Sequence, residues 1–418
     1  MKKNGFIMST YVYILLVFFL LLLGTMLVVL NNTRLLANKI KENTDGNIDF
    51  NLVLKGDKEI FIVKDSEYIE PGCIATTFDG GKLEVSVMGE VNPKKSGEYD
   101  IEYSAEYKGV EKKVKRKVIV GENLVTYITN LYEDSITRAS NNLKKDNTPD
   151  QNIRYYGSNP DNYVRFNNEL WRIIGVFGNN VKLVRSEKLG DLSWDSSEAS
   201  VNNGSGVNEW SQSALKNYLN TMYYGGTSVT CYCSYDNKTT ACPTNTIDET
   251  SKSLIDYHTW NTGAIEYNTR TDTLAFYKDE RGTKTGKICS SGAGCNDTVE
   301  RTTEWPGYIG LAYATDYAYA SSESDCNTNM VKQDSNNVYI CKNNNWMFKP
   351  NTWNWTLSPY ALPGNAVDVW RVRSDGGVGN YFASSTSAVF PTIYLKSNIL
   401  IESGTGSTSD PYVLKLGN

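Results

Sequence analysis

Between Phe6 and Thr33 the chain carries no charged side chain, and Tyr11 to Leu30 is almost wholly apolar. A helix of about 20 residues at about 1.5 Å rise is about 30 Å long, the thickness of a bilayer's hydrocarbon core. The run is too long for the core of a signal peptide, and no Ala-x-Ala-like cleavage site follows it. Residues 1–33 therefore read as a transmembrane anchor that meets the membrane through residues 8–30, with 34–47 as a linker. Lys2 and Lys3 precede the run while Arg34, Lys39 and Lys41 follow it, so the positive-inside bias is slight. The cysteine- and tryptophan-rich bulk downstream sets the orientation. The expectation is a single pass through the cell membrane, N-terminus inside and C-terminal bulk extracellular. No second hydrophobic run precedes the closing Pro411-Tyr412-Val413-Leu414-Lys415, so anchoring is expected from the N-terminal run.

A net charge of −5 and a pI near 5.3 argue against a nucleic-acid partner, which calls for a basic patch or stripe. A single histidine, His258, removes most metal sites, Ser-His-Asp triads and Cys-His dyads. No catalytic residue, metal or cofactor is expected, and the chain reads as a binding protein rather than an enzyme.

Beyond the anchor the composition divides the chain. From Ile48 to Gly121, 26 of 74 residues are charged and none is tryptophan; from Pro160 onward 47 of 259 are charged, and all nine tryptophans lie there. Two separate cores are implied. In the first stretch Tyr99, Ile101, Tyr103, Ala105 and Tyr107 alternate with Glu98, Asp100, Glu102, Ser104 and Glu106, the pattern of a half-buried antiparallel strand. Leu83, Val85 and Val87, then Val118 and Val120, repeat it. Pro71-Gly72, Asp79-Gly80-Gly81 and Asn92-Pro93 punctuate the strands. A small β-sandwich over 48–121 follows. Cys73, a lone cysteine there, is expected as a buried small hydrophobe. Residues 122–151 read as a connector: an amphipathic helix over Asn123–Asn141, then a polar linker, Lys144–Gln151.

Residues 152–418 form one large domain rich in aromatics and loops. Strands are predicted over Tyr163–Phe166, Leu170–Phe177, Val181–Ser186, Tyr308–Ala312, Trp353–Leu357, Asp368–Arg373 and Thr392–Leu395. Helices are predicted over Val207–Tyr223 and Thr250–Trp260. With few Leu and Ile, the core must lean on Trp and Tyr, which bury about 150–250 Å² each. The cysteines fit an oxidising compartment. Cys289 and Cys295 bracket a short loop, Cys326 and Cys341 a polar stretch, and Cys242 can close with Cys231 or Cys233. Zinc is the competing use, but Cys231-x-Cys233 lacks the usual spacing. In the strand around Trp370, Asp368, Trp370 and Val372 face one way and Val369, Arg371 and Arg373 the other. Arg371, Arg373 and Asp375 beside Trp353 and Tyr360 would suit an extracellular glycan or protein, where Trp, Tyr and Arg are enriched. The opposing reading puts the tryptophans in the core and leaves the arginines as ordinary sheet surface.

Three family resemblances add to this. Lys2-Lys3-Asn4-Gly5-Phe6 before a hydrophobic helix resembles a type IV prepilin leader, which implies cleavage between Gly5 and Phe6. The family's acidic fifth mature residue is replaced by Thr10. Gly56-Asp57, Tyr68-Ile69-Glu70-Pro71-Gly72-Cys73-Ile74-Ala75 and Ser96-Gly97-Glu98-Tyr99 resemble bacterial Ig-like repeats, which implies a stalk. Asn162–Phe177, Trp355-Thr356-Leu357-Ser358-Pro359-Tyr360, Val369–Val378 and Val389–Leu395 resemble a bacterial surface domain similar to C-type-lectin-like folds, including their formylglycine-generating-enzyme branch. That implies an irregular α+β fold with paired short sheets. Lys349-Pro350-Asn351 and Trp353-Asn354-Trp355 lack the carboxylates of the lectin calcium motifs, so no calcium site is expected. The expected fold is a single-pass membrane helix, an all-β Ig-like sandwich and an irregular α+β C-type-lectin-like domain. The expected function is a membrane-anchored extracellular binding or adhesion protein. A pseudopilin-like assembly subunit is the alternative, and an enzyme of the formylglycine-generating-like branch, using Cys289 and Cys295, is the remaining one.

Overall fold

The computed structural model describes residues 49–196, 206–234, 238–266, 272–282, 301–322, 342–361 and 367–417, besides Thr25, Met26 and Leu30. They form two compact units. The smaller holds residues up to Ile60, Glu67–Asn92 and Glu98–Val118; the larger holds Phe61–Ser66, Pro93–Gly97 and everything from Ile119 onward. No helix among the described residues is long and apolar enough to cross a membrane. Apart from Thr25, Met26 and Leu30, the apolar run Tyr11–Leu30 lies outside them, as do Gly5 and Phe6.

The smaller unit is the expected β-structure. Phe50–Leu54 pairs antiparallel with Cys73–Thr77, which pairs with Lys82–Leu83. Ser86–Met88 pairs with Gly97–Tyr107. The predicted alternation holds along Gly97–Tyr107: Ile101, Tyr103 and Ala105 are buried between more exposed acids, and Ala105 packs with Phe50 and Ala75. Among these apolar residues sits one fully buried cation. Arg116 donates to Glu70 Oε1 (2.7 Å) and to the Lys55 carbonyl (2.6 Å), while Tyr68 and Tyr103 also donate to Glu70. Cys73 departs from expectation. It is half-buried with a free thiol, its Sγ donating to the Val53 carbonyl (3.1 Å) and, at longer range, to that of Ile74 (3.9 Å).

The larger unit is built on two sheets. The first runs Ile309–Leu311, Pro391–Tyr394, Asn180–Arg185, Glu169–Phe177, Tyr163–Phe166, Tyr412–Leu416, Ile399–Ser403. Only Tyr163–Phe166 against Tyr412–Leu416 is parallel along this path. A short strand, Ile153–Tyr155, joins at Glu169–Phe177, where Arg154 pairs with Gly175. Gly175 is required there: a Cβ would stand 2.2 Å from the Ile153 carbonyl oxygen. The second sheet runs Asp191–Ser193, Thr386–Ala388, Asn354–Ala361, Asp368–Val372, Val378–Phe382. Trp171, Trp194, Trp210 and Trp260 are fully buried in the largest core cluster, with Trp355 nearly so, as the scarcity of Leu and Ile required.

The strand predictions fall within a few residues of their observed bounds; Trp353–Leu357 proves longer, as Asn354–Ala361. The helix predictions need correction. Val207–Tyr223 is broken into a 3₁₀ turn at Trp210–Gln212, a short α-helix at Ala214–Asn217 and a π-helical turn at Tyr218–Tyr223. Thr250–Trp260 is helical only over Glu249–Leu254. Aromatic and β-branched residues then take His258–Asn261 into a strand against Glu304–Gly307. The segment Asn123–Asn141 is two helices, Leu124–Glu133 and Ser135–Ser140, broken where the Asp134 side chain caps the second. What read as a connector belongs to the larger unit: Leu124, Ile128 and Leu143 are core, Leu143–Lys145 is a strand, and Asp146 and Thr148 are buried.

The Glu70–Arg116 pair gives a directional test. Glu70→Ala strands a buried guanidinium and should cost the smaller unit about 3–5 kcal/mol. Arg116→Met leaves a carboxylate that water reaches and should cost less. Hydrogen exchange of the Gly97–Tyr107 amides measures both; equal protection losses would contradict the ordering.

Candidate functional site

The residues proposed from sequence as a binding face are largely brought together. Arg371 lies in Asp368–Val372 and is itself buried, its guanidinium held 4.0 Å from the ring centroid of Trp353 and 4.0 Å from that of Tyr381. One Nη donates to Ser387 Oγ (3.2 Å). Arg373, further out, lies 5.9 Å from the Trp353 ring and pairs with Asp375 at 2.5 Å; Asp375 also accepts from the Gly377 amide. Among the described residues Trp353 is the one tryptophan with more than a third of its surface exposed (38%), and Tyr381 matches it. A guanidinium stacked between two rings is a rigid platform whose outer edges water reaches.

Tyr360 does not join this face. It is buried, its ring 5.3 Å from that of Trp370 in a second core cluster with Ile265 and Phe276. Trp370 and Arg371 are successive strand residues and so point to opposite faces. Tyr381 takes the place expected of Tyr360, because Val378–Phe382 pairs with Asp368–Val372 and sets Tyr381 against Val369, diagonal to Arg371. Sequence reasoning missed it. Its signal was the aromatic pair Tyr381-Phe382 after the glycine-rich Asp375-Gly376-Gly377 turn. The opposing reading holds for Trp370 and Trp355, both core residues.

Cys231, not Cys233, bonds to Cys242, with Cα atoms 5.3 Å apart. Register decides it. Cys231 pairs with Thr240 in a hairpin, two residues from Cys242, whereas Cys233 sits nearer the turn, its amide donating to the Lys238 carbonyl. Cys233 keeps a free thiol. Cys289, Cys295, Cys326 and Cys341 lie outside the described residues. Among the described residues no cluster of His, Cys, Asp or Glu could hold a metal ion.

The larger unit also holds a cluster of buried charge. Asp316, on the helix Ala314–Tyr319, accepts from Arg154 Nη1 (2.8 Å), Lys182 Nζ (2.5 Å) and the Tyr313 amide (2.9 Å). Arg154 also donates through Nε to Asp146 (2.6 Å). Burial works against the Asp316 charge, but Lys182 and Arg154 outweigh it and hold the carboxyl at about 2. Glu280 behaves in the opposite way. Burial pushes it up to about 7, although Thr315 and Ser358 hydrogen-bond to it and Arg281 lies 3.5 Å away.

Set beside known proteins, residues 52–120 match a family described as bacterial surface protein, Ig-like domain. That stretch is similar to a domain type of bacterial surface proteins, which points to a location at the cell surface. No curated protein matches the chain. Among solved structures, the lipoprotein BT2262 from Bacteroides thetaiotaomicron is 22% identical over 34% of this chain and 63% of its own, with a TM-score of 0.17. A structure of CBM51-2 in complex with GlcNAc and INT domains from Clostridium perfringens ZmpB is 13% identical over 37% of this chain and 34% of its own, with a TM-score of 0.16. The chain spans less than two thirds of either, and at these scores neither likeness carries an argument.

Glu280 yields a pH signature. Its folded pKa lies above the ordinary 4.5, so its contribution to stability is complete below 4.5 and is lost as pH rises through about 7. Relative to Glu280→Gln, the wild type should lose about 3 kcal/mol between about pH 4 and about pH 8. Parallel stability–pH curves from chemical denaturation would show that Glu280 is not held protonated.

Proposed function

We propose that this chain is a membrane-anchored extracellular binding protein, held by residues 8–30, spaced from the bilayer by the Ig-like domain and presenting the unit from Ile119 onward to a glycan or protein. The observation that carries this reading is the bacterial surface Ig-like match at residues 52–120. The apolar run Tyr11–Leu30 supports the anchor: its length fits a bilayer and it holds no charge. The binding face of this proposal is the platform of Trp353, Arg371 and Tyr381, with Arg373 and Asp375 at its rim. Exposed aromatic rings around a guanidinium are the surface chemistry of binding hot spots, and they stack equally well on a sugar ring. The C-type-lectin-like reading of 152–418 is supported by the sequence blocks quoted above and by the presence of two mainly antiparallel sheets with irregular connections. No catalytic step is assigned.

The test uses intact cells displaying the full chain, incubated with a glycan array and with a panel of labelled extracellular proteins. Binding should be specific, should vanish after protease shaving, and should fall at least about tenfold in Trp353→Ala without loss of the folded state. Shaving that leaves the chain undigested would contradict the location. Undiminished binding by Trp353→Ala would contradict the face.

A further inference from the structure

A pocket within the larger unit, beside the Trp353 platform, has a composition that ordinary core packing does not explain. Its lining includes Arg172 and Lys349, with Trp346 and Trp355 as aromatic walls and Ser186 and Asn354 as polar groups. Arg172 is buried in a strand whose neighbours are Trp171, Ile173 and Ile174. Its guanidinium is clamped between the rings of Tyr163 (4.1 Å) and Trp346 (4.5 Å). Nε donates to Asn162 Oδ1 (2.7 Å) and Nη2 to the Pro160 carbonyl (3.0 Å), so its orientation is fixed by neutral acceptors. Lys349 is half-buried; burial first and then Arg172 depress its pKa, against a smaller opposing effect of Glu187. Among the described residues neither cation has a carboxylate within ion-pair distance; Asp161 acts on Arg172 and Glu187 on Lys349 only from further away. Arg185, which also lines the pocket, is neutralised by Glu169.

Two positive groups drawn into one partly desolvated pocket repel each other, and uncompensated buried charge is among the costliest features a fold can keep. Two further groups there are unsatisfied. Ser186 Oγ and Asn354 Oδ1, on residues more than nine-tenths buried, have no hydrogen-bond partner. Buried polar atoms are normally paired, and both of these line the pocket that holds the cations. A missing ligand would resolve all of this together. It needs negative charge for Arg172 and Lys349, a hydrogen-bond donor for the Asn354 oxygen, and a flat apolar face for the tryptophan walls.

We propose that this pocket binds a small hydroxylated carboxylate of the uronic-acid type, its carboxylate between Arg172 and Lys349, its hydroxyls on Ser186 and Asn354, its ring against Trp346 and Trp355. The site adjoins the Trp353 platform, the Trp355 ring lying 5.9 Å from the Arg371 guanidinium, but it uses different polar groups.

The experiment is isothermal titration calorimetry of the purified full chain with glucuronate, with glucose and acetate as probes of ring without charge and charge without ring. Glucuronate should bind saturably, and glucose and acetate at least about tenfold more weakly. Lys349→Met removes one charge-assisted contact from a half-buried position and should weaken glucuronate about tenfold or more. Arg172→Met should abolish binding. Should it fail to fold, Ser186→Ala, a smaller change, serves beside Lys349→Met and should weaken binding several-fold. No saturable heat with glucuronate, acetate binding as tightly as glucuronate, or Lys349→Met binding unchanged would each overturn the proposal.

Discussion

One carboxylate organises the larger unit. Asp316 lies on a helix and takes its hydrogen bonds from Arg154 and Lys182, residues of two strands in the first sheet. All three side chains are buried, and Lys182 is further enclosed by the rings of Tyr313, Tyr394, Trp260 and Phe177. Replacing such a group with matched apolar residues can leave a protein equally stable, but removing one member leaves a charge that nothing offsets. The constraint is therefore directional. It fixes where the helix Ala314–Tyr319 sits against the sheet, which hydrophobic contact alone would leave free to slide.

The pocket depends on that placement. Tyr313, whose amide caps Asp316, and Tyr317, on the next turn, both line it. Opposite them Arg172 comes from the same sheet as Arg154 and Lys182. The unit thus contains two kinds of buried cation. Arg154 and Lys182 are ion-paired; among the described residues Arg172 and Lys349 have no carboxylate at that distance. The same physical rule makes the first pair structural and the second a site for something brought from outside.

Much of the backbone was legible from sequence, and the sites were legible only in part. The strand around Ile101 could be read because alternation is a local signal that burial of one face enforces. Tyr163–Phe166 was found to the residue for the same reason. Thr250–Trp260 failed because a helical start ran into residues that favour a strand once a partner, Glu304–Gly307, is present. Trp353 lies beside Arg371 because it immediately precedes Asn354–Ala361, the strand that pairs with Asp368–Val372. Tyr381 was missed because register, not sequence order, brings it to Arg371. The charge cluster was invisible: Arg154 and Asp316 are 162 residues apart, and nothing local marks them as partners. Arg172 did leave a trace, as the one cation in Glu169–Phe177, flanked by Leu170, Trp171, Ile173 and Ile174.

Asp316→Asn, which keeps the shape and removes the charge, is the most direct measurement of this account. All nine tryptophans lie in the larger unit, so their fluorescence follows its unfolding alone. In urea at neutral pH the substitution should lower the stability of that unit by about 3–5 kcal/mol. A variant that unfolds within about 0.5 kcal/mol of the wild type would contradict the claim that this carboxylate sets the architecture.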